Sequence, residues 1–288
     1  MNRGFIETDQ KLKLLGYLLA LVGALCFALM SFFVRLSEEA YSNSDILFAR
    51  SMVGVIIMGI LVRDKIKQAL TSYGIPIWLR SAFGAISVSC FYWNILHSSL
   101  TIANLLTDLS PIFVLLLSAL IFRTRLTILS VIGVFIATGG VFLLSSSNIS
   151  GMQPSVVFVG LISAAASAVA YLSIKSAVQK FSTLVIVWAF SVGTAIVSVI
   201  NLNQVPRFTF DTHLAHLGAS IVLAFAAQFF MTFSYKFLAA HIASTLNLTS
   251  CFWAVVLDSF IGIYPNQHQM TALLLTIVGI ITCIIGNR

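Results

Sequence analysis

Charge is scarce in this sequence. Asp, Glu, Lys and Arg make up 9% of its 288 residues, whereas soluble globular proteins contain about 25%. The mean hydropathy is +1.02, and 59% of the residues are hydrophobic. A single soluble core cannot hold this much apolar surface, so the composition excludes a soluble domain and predicts an integral membrane protein.

Signatures of metal centres and of common enzymes are missing as well. The cysteines lie inside apolar stretches without CxxC or Cys/His clustering, which predicts neither disulfides nor a metal site: Cys26, Cys90, Cys251 and Cys283. No Walker-type P-loop, HExxH, GxSxG or GxGxxG sequence occurs. The sequence therefore supports neither a cofactor nor ATP-driven transport by this chain alone. The net charge is +7, but the Lys and Arg residues form no basic stripe with interleaved aromatics. No nucleic-acid partner is therefore expected.

What the chain does contain is a series of ten apolar stretches. Each has roughly 20 residues, the length that a helix needs to cross a hydrocarbon core of about 30 Å. They are continuous, whereas barrel strands alternate over about ten residues. The sequence therefore predicts an all-α integral membrane protein with ten transmembrane helices. In order, spans 1 to 10 are Leu14–Phe33, Ile46–Val62, Ile77–Leu96, Leu100–Phe122, Leu126–Ser145, Val156–Val178, Thr183–Ile200, Leu214–Tyr235, Ile242–Ile263 and Met270–Ile285.

The positive charges predict an orientation. With a cytoplasmic N-terminus, thirteen Lys and Arg residues fall on the cytoplasmic side, and only Arg35, Arg50 and Arg207 fall towards the outside. This asymmetry is typical of multi-pass membrane proteins. Ten spans return the C-terminus to the cytoplasm. We expect a bacterial inner (plasma) membrane protein whose first helix is not cleaved.

The ten spans divide into two sets of five, residues 1–148 and 149–288. Leu15-Gly16-Tyr17 aligns with Val159-Gly160-Leu161 at an offset of 144, and Leu100–Asn104 aligns with Ala240–Ser244 at an offset of 140. Because each set has an odd number of spans, the second set must enter the membrane from the opposite side. The sequence thus predicts two inverted five-helix repeats, an architecture that places a substrate site between the halves of a transporter.

Short motifs along the whole chain support this interpretation. They are Gly16 with Ala24–Leu29; Phe48-Ala49-Arg50; Arg80, Gly84, Tyr92, Leu100 and Ala103; Pro111-Ile112-Phe113; Leu129, Gly133 and Thr138–Val141; and Thr271–Gly286. Together they resemble the EamA-type members of the drug/metabolite transporter superfamily, and this resemblance implies ten helices and small-molecule transport. The Arg80–Pro111 stretch is similar to the S-adenosylmethionine uptake subgroup. Relatives commonly end the fourth helix of each repeat with Gly-Glu, where this chain has Arg123-Thr124 and Ile263-Tyr264.

Ionisable residues inside spans are the first candidates for substrate binding, because each costs at least about 2.5–3.5 kcal/mol to insert. They are Arg50, Arg80, Asp108 and Lys175. Arg50 and Asp108 lie at similar predicted depths, so they can meet as a pair that either joins helices or binds substrate. Arg80 and Lys175 lie near the inner ends of spans 3 and 6, where their side chains either extend to the interface or bind an anion.

Polar and aromatic residues at mid-depth are the second group: Tyr92, Asn94, Asn104, Tyr171, Trp188, Gln228 and Asn247. Substrate cavities combine aromatic walls with a few polar groups. The alternative roles are interfacial aromatic belts and hydrogen bonds between helices. Close helix packing is the expected role of the glycines in spans 5 and 10: Gly133, Gly139, Gly140, Gly279 and Gly286.

These features favour a secondary transporter for a small polar or zwitterionic metabolite, not an enzyme. The expected partners are this metabolite and the lipid bilayer, and the oligomeric state is left open. Two alternatives compete with transport. An intramembrane enzyme acting on a lipid would need clustered catalytic side chains, and the sequence has none. A channel or structural subunit would not need the inverted repeat.

Overall fold

The computed structural model describes residues 2–37, 39–69, 74–98, 100–122, 126–144, 153–200, 208, 211–260, 262 and 264–287. The regular structure of these residues is helical throughout, without a β-strand. In this part of the chain, nine helices are long and apolar enough to cross a membrane. Ile128–Leu144 is a further apolar helix of 17 residues, at the lower end of the usual transmembrane length of about 17–25 residues. The predicted all-α, ten-helix membrane fold is confirmed.

The helices follow the predicted spans closely. Short connections join them, so consecutive spans run in alternating directions. The tight division between spans 3 and 4 is present, since one helix ends at His97 and the next begins at Leu100. The bounds of spans 1 to 10 are Asn2–Ser37, Asn43–Val53 continuing to Val62, Ile75–His97, Leu100–Thr107 with Ser110–Phe122, Ile128–Leu144, Pro154–Ala177, Thr183–Ile200, Thr212–Ser234, Ala240–Asn247 with Thr249–Phe260, and Gln267–Gly286.

Span 2 has an irregular course. Its helix starts with a capping box in which the Ser42 hydroxyl accepts from the Asp45 N–H, and the Asp45 carboxylate accepts from the Ser42 N–H. Residues Gly54–Met58 then form a π-helical turn, the kind of wide turn that occurs mostly at functional sites. Arg50 lies one turn before it, on the regular helix.

Spans 4 and 9 are each long enough to cross the membrane, as predicted, but a short irregular turn interrupts the helix in the middle of each span. In span 4, Pro111 has no N–H to donate to the Thr107 carbonyl, and the backbone changes to short i+3 bonds, Leu109 to Leu106 and Ile112 to Leu109. In span 9, Leu248 bonds to Thr245 and Cys251 bonds to Leu248 in the same way. The short helices that precede the breaks, residues 100–107 and 240–247, start and end 140 positions apart.

Spans 5 and 10 pack against each other at a distance that glycine permits. A Cβ added at Gly133 would collide with the backbone of Cys283, and one at Gly279 would collide with the backbone of Ala137. Gly140 and Gly286 also face the partner helix, against Thr276 and Ser130. The predicted packing role is confirmed for these four glycines. It is wrong for Gly139, whose added Cβ would meet nothing within 4 Å.

The other extensive contacts join spans 1 and 8, 3 and 6, 2 and 7, 3 and 7, 1 and 9, and 4 and 6. Large apolar side chains cover the outside of the bundle, as in Leu120 (76% exposed) and Ile128 (78% exposed). In water such a surface would be costly, but it suits contact with lipid chains. The chain is a multi-pass membrane protein.

Candidate functional site

A cavity of about 340 Å³ lies in the middle of the bundle. We refer to it as the central cavity. Residues of spans 1–4 and 6–9 line it, so both predicted halves contribute. Its described lining contains no residue of spans 5 and 10, which pack together elsewhere. The volume is in the range of small-molecule sites, about 300–1,000 Å³.

Arg80 forms part of the wall and is only 4% exposed. Its Cζ lies 4.0 Å from the ring centroid of Phe190, and its Nη2 donates to Oε1 of Gln228 at 3.1 Å. Gly84, one turn further along span 3, provides the space, because an added Cβ would lie 2.7 Å from Nη1 of Arg80. The Arg80 side chain therefore points into the bundle, towards the cavity, and does not extend to the interface.

Arg50 lines the same cavity from span 2. Within the described residues its guanidinium has one hydrogen-bond partner, the thioether of Met30, with 3.8 Å between Nη1 and Sδ. A thioether is a weak acceptor for a guanidinium with five donors. The charge of Arg50 is therefore largely uncompensated by the surrounding side chains.

Asp108 lies in the break of span 4 and also lines the cavity. Its Oδ2 accepts a hydrogen bond from the Cys251 thiol at 3.5 Å. The predicted Arg50–Asp108 pair is not formed between these two described side chains. Similar depth did not bring them together, because Arg50 turns towards span 1 while the break directs Asp108 towards span 9.

Four more of the predicted residues line the cavity: Asn104, Tyr171, Gln228 and Asn247. The Tyr171 ring lies 6.0 Å from the ring of Tyr235, centroid to centroid. Asn247 ends the first helix of span 9, and its Oδ1 is buried without a hydrogen-bond partner. Buried polar atoms are almost always paired, so this oxygen marks a place where a donor is missing.

The remaining four predicted residues lie outside the cavity lining. The Asn94 amide, oriented with its NH₂ group towards the Val156 carbonyl, also accepts from the Gly160 N–H, both at 3.1 Å, and so joins spans 3 and 6. Trp188 packs edge-on against Trp78 at 6.5 Å. Tyr92 packs edge-on against Phe91 at 5.8 Å. The Lys175 ammonium donates to the carbonyls of Tyr235 (2.9 Å) and Leu238 (2.7 Å), where the helix of span 8 ends.

Sequence reasoning did not select several residues of the cavity wall, among them Phe27, Met30, Ser87, Phe91, Ser167, Phe190 and Cys251. Apolar and small residues fill every span, so nothing in the sequence marks most of these positions. A signal did exist for Ser87 and Ser167. Serines recur in spans 3 and 6, and the two hydroxyls bond across the helices at 2.6 Å.

Charged side chains also join helices near the two ends of the bundle. At one end Arg35 of span 1 pairs with Asp258 of span 9 at 3.1 Å, and both side chains are substantially exposed. At the other end Lys175 of span 6 holds the turn after span 8. The central cavity lies between these contacts along the bundle axis. Within the described part of the chain, no group of three or more His, Cys, Asp or Glu residues is placed to hold a metal ion.

Comparison with known proteins identifies the class. Residues 14–146 match the EamA-like transporter family. An uncharacterized transporter of Helicobacter pylori is 24% identical over 263 residues, which cover 86% of this chain and 87% of that protein. The pseudopaline exporter CntI of Pseudomonas aeruginosa is 28% identical over 186 residues, 64% of this chain and 65% of that protein.

The fold has a counterpart among crystal structures. One solved protein superposes with a TM-score of 0.78 at 16% identity, covering 95% of this chain and 98% of that one. The match over residues 14–146 agrees with the predicted resemblance to EamA-type members of the drug/metabolite transporter superfamily. Together with the transporter and exporter names of its relatives, this match supports a role in membrane transport. The narrower similarity to S-adenosylmethionine carriers stays a prediction.

Proposed function

We propose that this protein is a secondary transporter that carries a small polar or zwitterionic metabolite across the bacterial inner membrane by alternating access. The observation that carries the proposal is the central cavity, where Arg50 and Asp108 lie between the two halves without pairing with each other. Unpaired charges inside a membrane protein are costly and mark substrate or ion pathways. A bound solute that supplies the opposite charges would offset this cost.

Alternating access needs two halves that can exchange roles, residues 1–148 and 149–288. The helix contacts support such a relation. In this relation, span 1 corresponds to span 6, span 2 to span 7, span 3 to span 8, and span 4 to span 9. The contact between spans 1 and 8 then corresponds to the contact between spans 6 and 3. Likewise, the contact between spans 1 and 9 corresponds to that between spans 6 and 4, and the contact between spans 3 and 7 to that between spans 8 and 2. All of these pairs are in contact. The two helix breaks, 140 positions apart, support the same relation. Because five is odd, we propose that the halves are inverted, with both termini cytoplasmic.

The contacts at the two ends of the bundle are suited to gating. In the proposed orientation, the Arg35–Asp258 pair lies on the outer side and the Lys175 contact on the cytoplasmic side. Opening either side requires its contact to break while the other contact is kept. The substrate-site assignment of Lys175 is replaced by this proposed gating role, and Arg50, Arg80, Asn104, Asp108, Tyr171, Gln228 and Asn247 remain the proposed substrate site.

Transport by purified protein in proteoliposomes tests the proposal. A panel of labelled amino acids, nucleosides and cofactor-like zwitterions is followed in both directions, with and without a proton gradient. We expect saturable flux of at least one solute that stops in the Arg50→Gln variant and continues in Arg63→Gln, whose arginine is exposed beside Asp64 at 3.7 Å. Absence of flux for the whole panel, or equal flux in both variants, would contradict the proposal.

A further inference from the structure

The central cavity contains an unequal number of opposite charges. Among its described lining residues, Arg50 and Arg80 are cations and Asp108 is the acid. The excess of one positive charge lies in a cavity inside a membrane protein, where an uncompensated charge is unfavourable. A solute that carries no net charge would leave this excess in place. A solute with one net negative charge would remove it.

The two guanidinium groups have donors to spare. The described partner of Arg50 is the Met30 thioether, and Arg80 uses one nitrogen on Gln228 while its face covers Phe190. Each guanidinium has five N–H donors in a planar fork that matches a carboxylate. The two arginines come from different spans, and their side chains hydrogen-bond to different partners. Their spare donors together can receive two carboxylates of one solute.

The surroundings of Asp108 are rich in acceptors. The Asn247 Oδ1 is buried and unpartnered in the same cavity. The carbonyl of Thr107 lacks its helical donor, because Pro111 has no N–H. Cys251, which donates to Asp108, lies one helical turn after Asn247 across the break of span 9. A carboxylate and an amide oxygen that both need donors are suited to an ammonium group.

We infer that the substrate is an amino dicarboxylate, a zwitterion with two carboxylates and one ammonium. Arg50 and Arg80 each bind a carboxylate, while Asp108 and the Asn247 oxygen receive the ammonium. This inference rests on the proposed function, because it names the solute class of the same site. It adds that transport discriminates by charge pattern, with two anionic groups required together with one cationic group.

Binding to purified protein in detergent tests the charge pattern without requiring transport. The probes are aspartate, glutamate, α-aminoadipate and α-aminopimelate, which separate the two carboxylates by increasing distances. For the chain length that binds best, the monoamide and the deaminated dicarboxylate serve as matched probes. Loss of one charge-assisted contact should weaken binding by about 10- to 100-fold. Thermal shift and isothermal calorimetry provide the affinities, both in sodium and in choline medium.

Two variants assign each charge to its residue. The Arg50→Gln variant should bind the amino dicarboxylate and its monoamide with equal affinity. It should still bind the amino dicarboxylate more tightly than the deaminated analogue. In Asp108→Asn, the amino dicarboxylate and its deaminated analogue should bind equally, while the preference for two carboxylates persists. Arg63→Gln and Asp64→Asn are controls at an exposed pair and should keep both preferences. The melting temperature of each ligand-free variant establishes that it is folded.

The outcomes separate this inference from the proposed function. If neutral or cationic solutes are transported and no amino dicarboxylate binds or competes, transport stands and the inference is overturned. If an amino dicarboxylate binds with the expected variant pattern but no solute crosses the membrane, the charge pattern stands and the transport proposal fails. Equal binding of the deaminated analogue in sodium but not in choline would assign the Asp108 subsite to a sodium ion and overturn the ammonium assignment.

Discussion

The guanidinium of Arg80 lies over the ring of Phe190, with 4.0 Å between Cζ and the ring centroid. This contact joins span 3 to span 7, and so the two proposed halves, at the wall of the central cavity. Arg80 is thereby held in one orientation while its remaining donors stay available. A cation that is preorganised in this way binds an anion without losing further side-chain entropy.

Replacing Phe190 with leucine removes the cation–π contact and keeps most of the apolar volume. Such contacts contribute about 0.5–2 kcal/mol, so we expect the KM for the transported solute to rise about 2- to 30-fold. Uptake kinetics in proteoliposomes measure the change. Phe142→Leu, at an exposed position on span 5, is the control. An unchanged KM in Phe190→Leu would show that the stacking does not position Arg80.

Gly84→Ala should disturb the contact between Arg80 and Phe190 by crowding both side chains. The new Cβ would lie 2.7 Å from both Nη1 of Arg80 and Cε2 of Phe190, and overpacking of this kind costs about 1–3 kcal/mol. We expect a lower melting temperature together with impaired uptake. Gly139→Ala, where nothing lies within 4 Å, should instead stabilise its helix by up to about 1 kcal/mol. The prediction fails if both variants behave alike.

Lys175→Met should destabilise the end of span 8. The substitution leaves the carbonyls of Tyr235 and Leu238 without the donor they now have, and an unpaired buried carbonyl costs about 1–3 kcal/mol. Thermal unfolding measures the loss, and hydrogen exchange at residues 235–239 should become faster. Lys175→Arg should recover part of the stability, while Lys65→Met, at an exposed position, should have little effect. Unchanged exchange in Lys175→Met would exclude the role in holding this turn.

Gly279→Ala should weaken the pair formed by spans 5 and 10. Because the added Cβ would meet the backbone of Ala137, the collision cannot be relieved by a side-chain rotation. We expect the free energy of unfolding to fall by about 1–3 kcal/mol. Gly218→Ala, on span 8 with open space around it, is the control. Transport by the surviving folded fraction should be normal, since neither helix contributes to the described cavity wall.

A double-mutant cycle distinguishes a direct Arg50–Asp108 contact from two independent charges. Because the side chains do not pair, the effects of Arg50→Gln and Asp108→Asn on unfolding should add to within about 0.5 kcal/mol without solute. In the proposed site, a bound zwitterion contacts both residues, so the same cycle measured on solute affinity should deviate from additivity. A large coupling in the solute-free protein would mean that the two side chains do form a pair.

The sequence alone predicted the membrane fold well, and the reason is physical. Each segment must satisfy its backbone hydrogen bonds inside lipid, so an apolar run of sufficient length can only be a helix. The division at His97–Leu100 and the packing glycines Gly133 and Gly279 followed from the same local reasoning. The break near Leu248 did not, because no proline marks it and Leu248 is an ordinary residue in a helix.

The candidate site was predictable only in part. Charged and amide side chains stand out against an apolar background, which is why residues such as Arg50, Asp108 and Asn247 were found from the sequence. Which of them face one cavity depends on the rotation of each helix about its axis. That rotation is set by the packing of neighbouring spans. Asn94 and Lys175 are as conspicuous in the sequence as the cavity residues, but their polar groups bond to the backbone of neighbouring spans.

The sequence by itself thus determined the membrane environment, the number of helices and the short list of charges that need partners, because each follows from the cost of placing a group in lipid. The tertiary structure decided which charges share a cavity and which are already compensated. It did so because two residues at the same depth meet only if their helices turn the right faces towards each other. Arg50 and Asp108 line one cavity and remain unpaired in it.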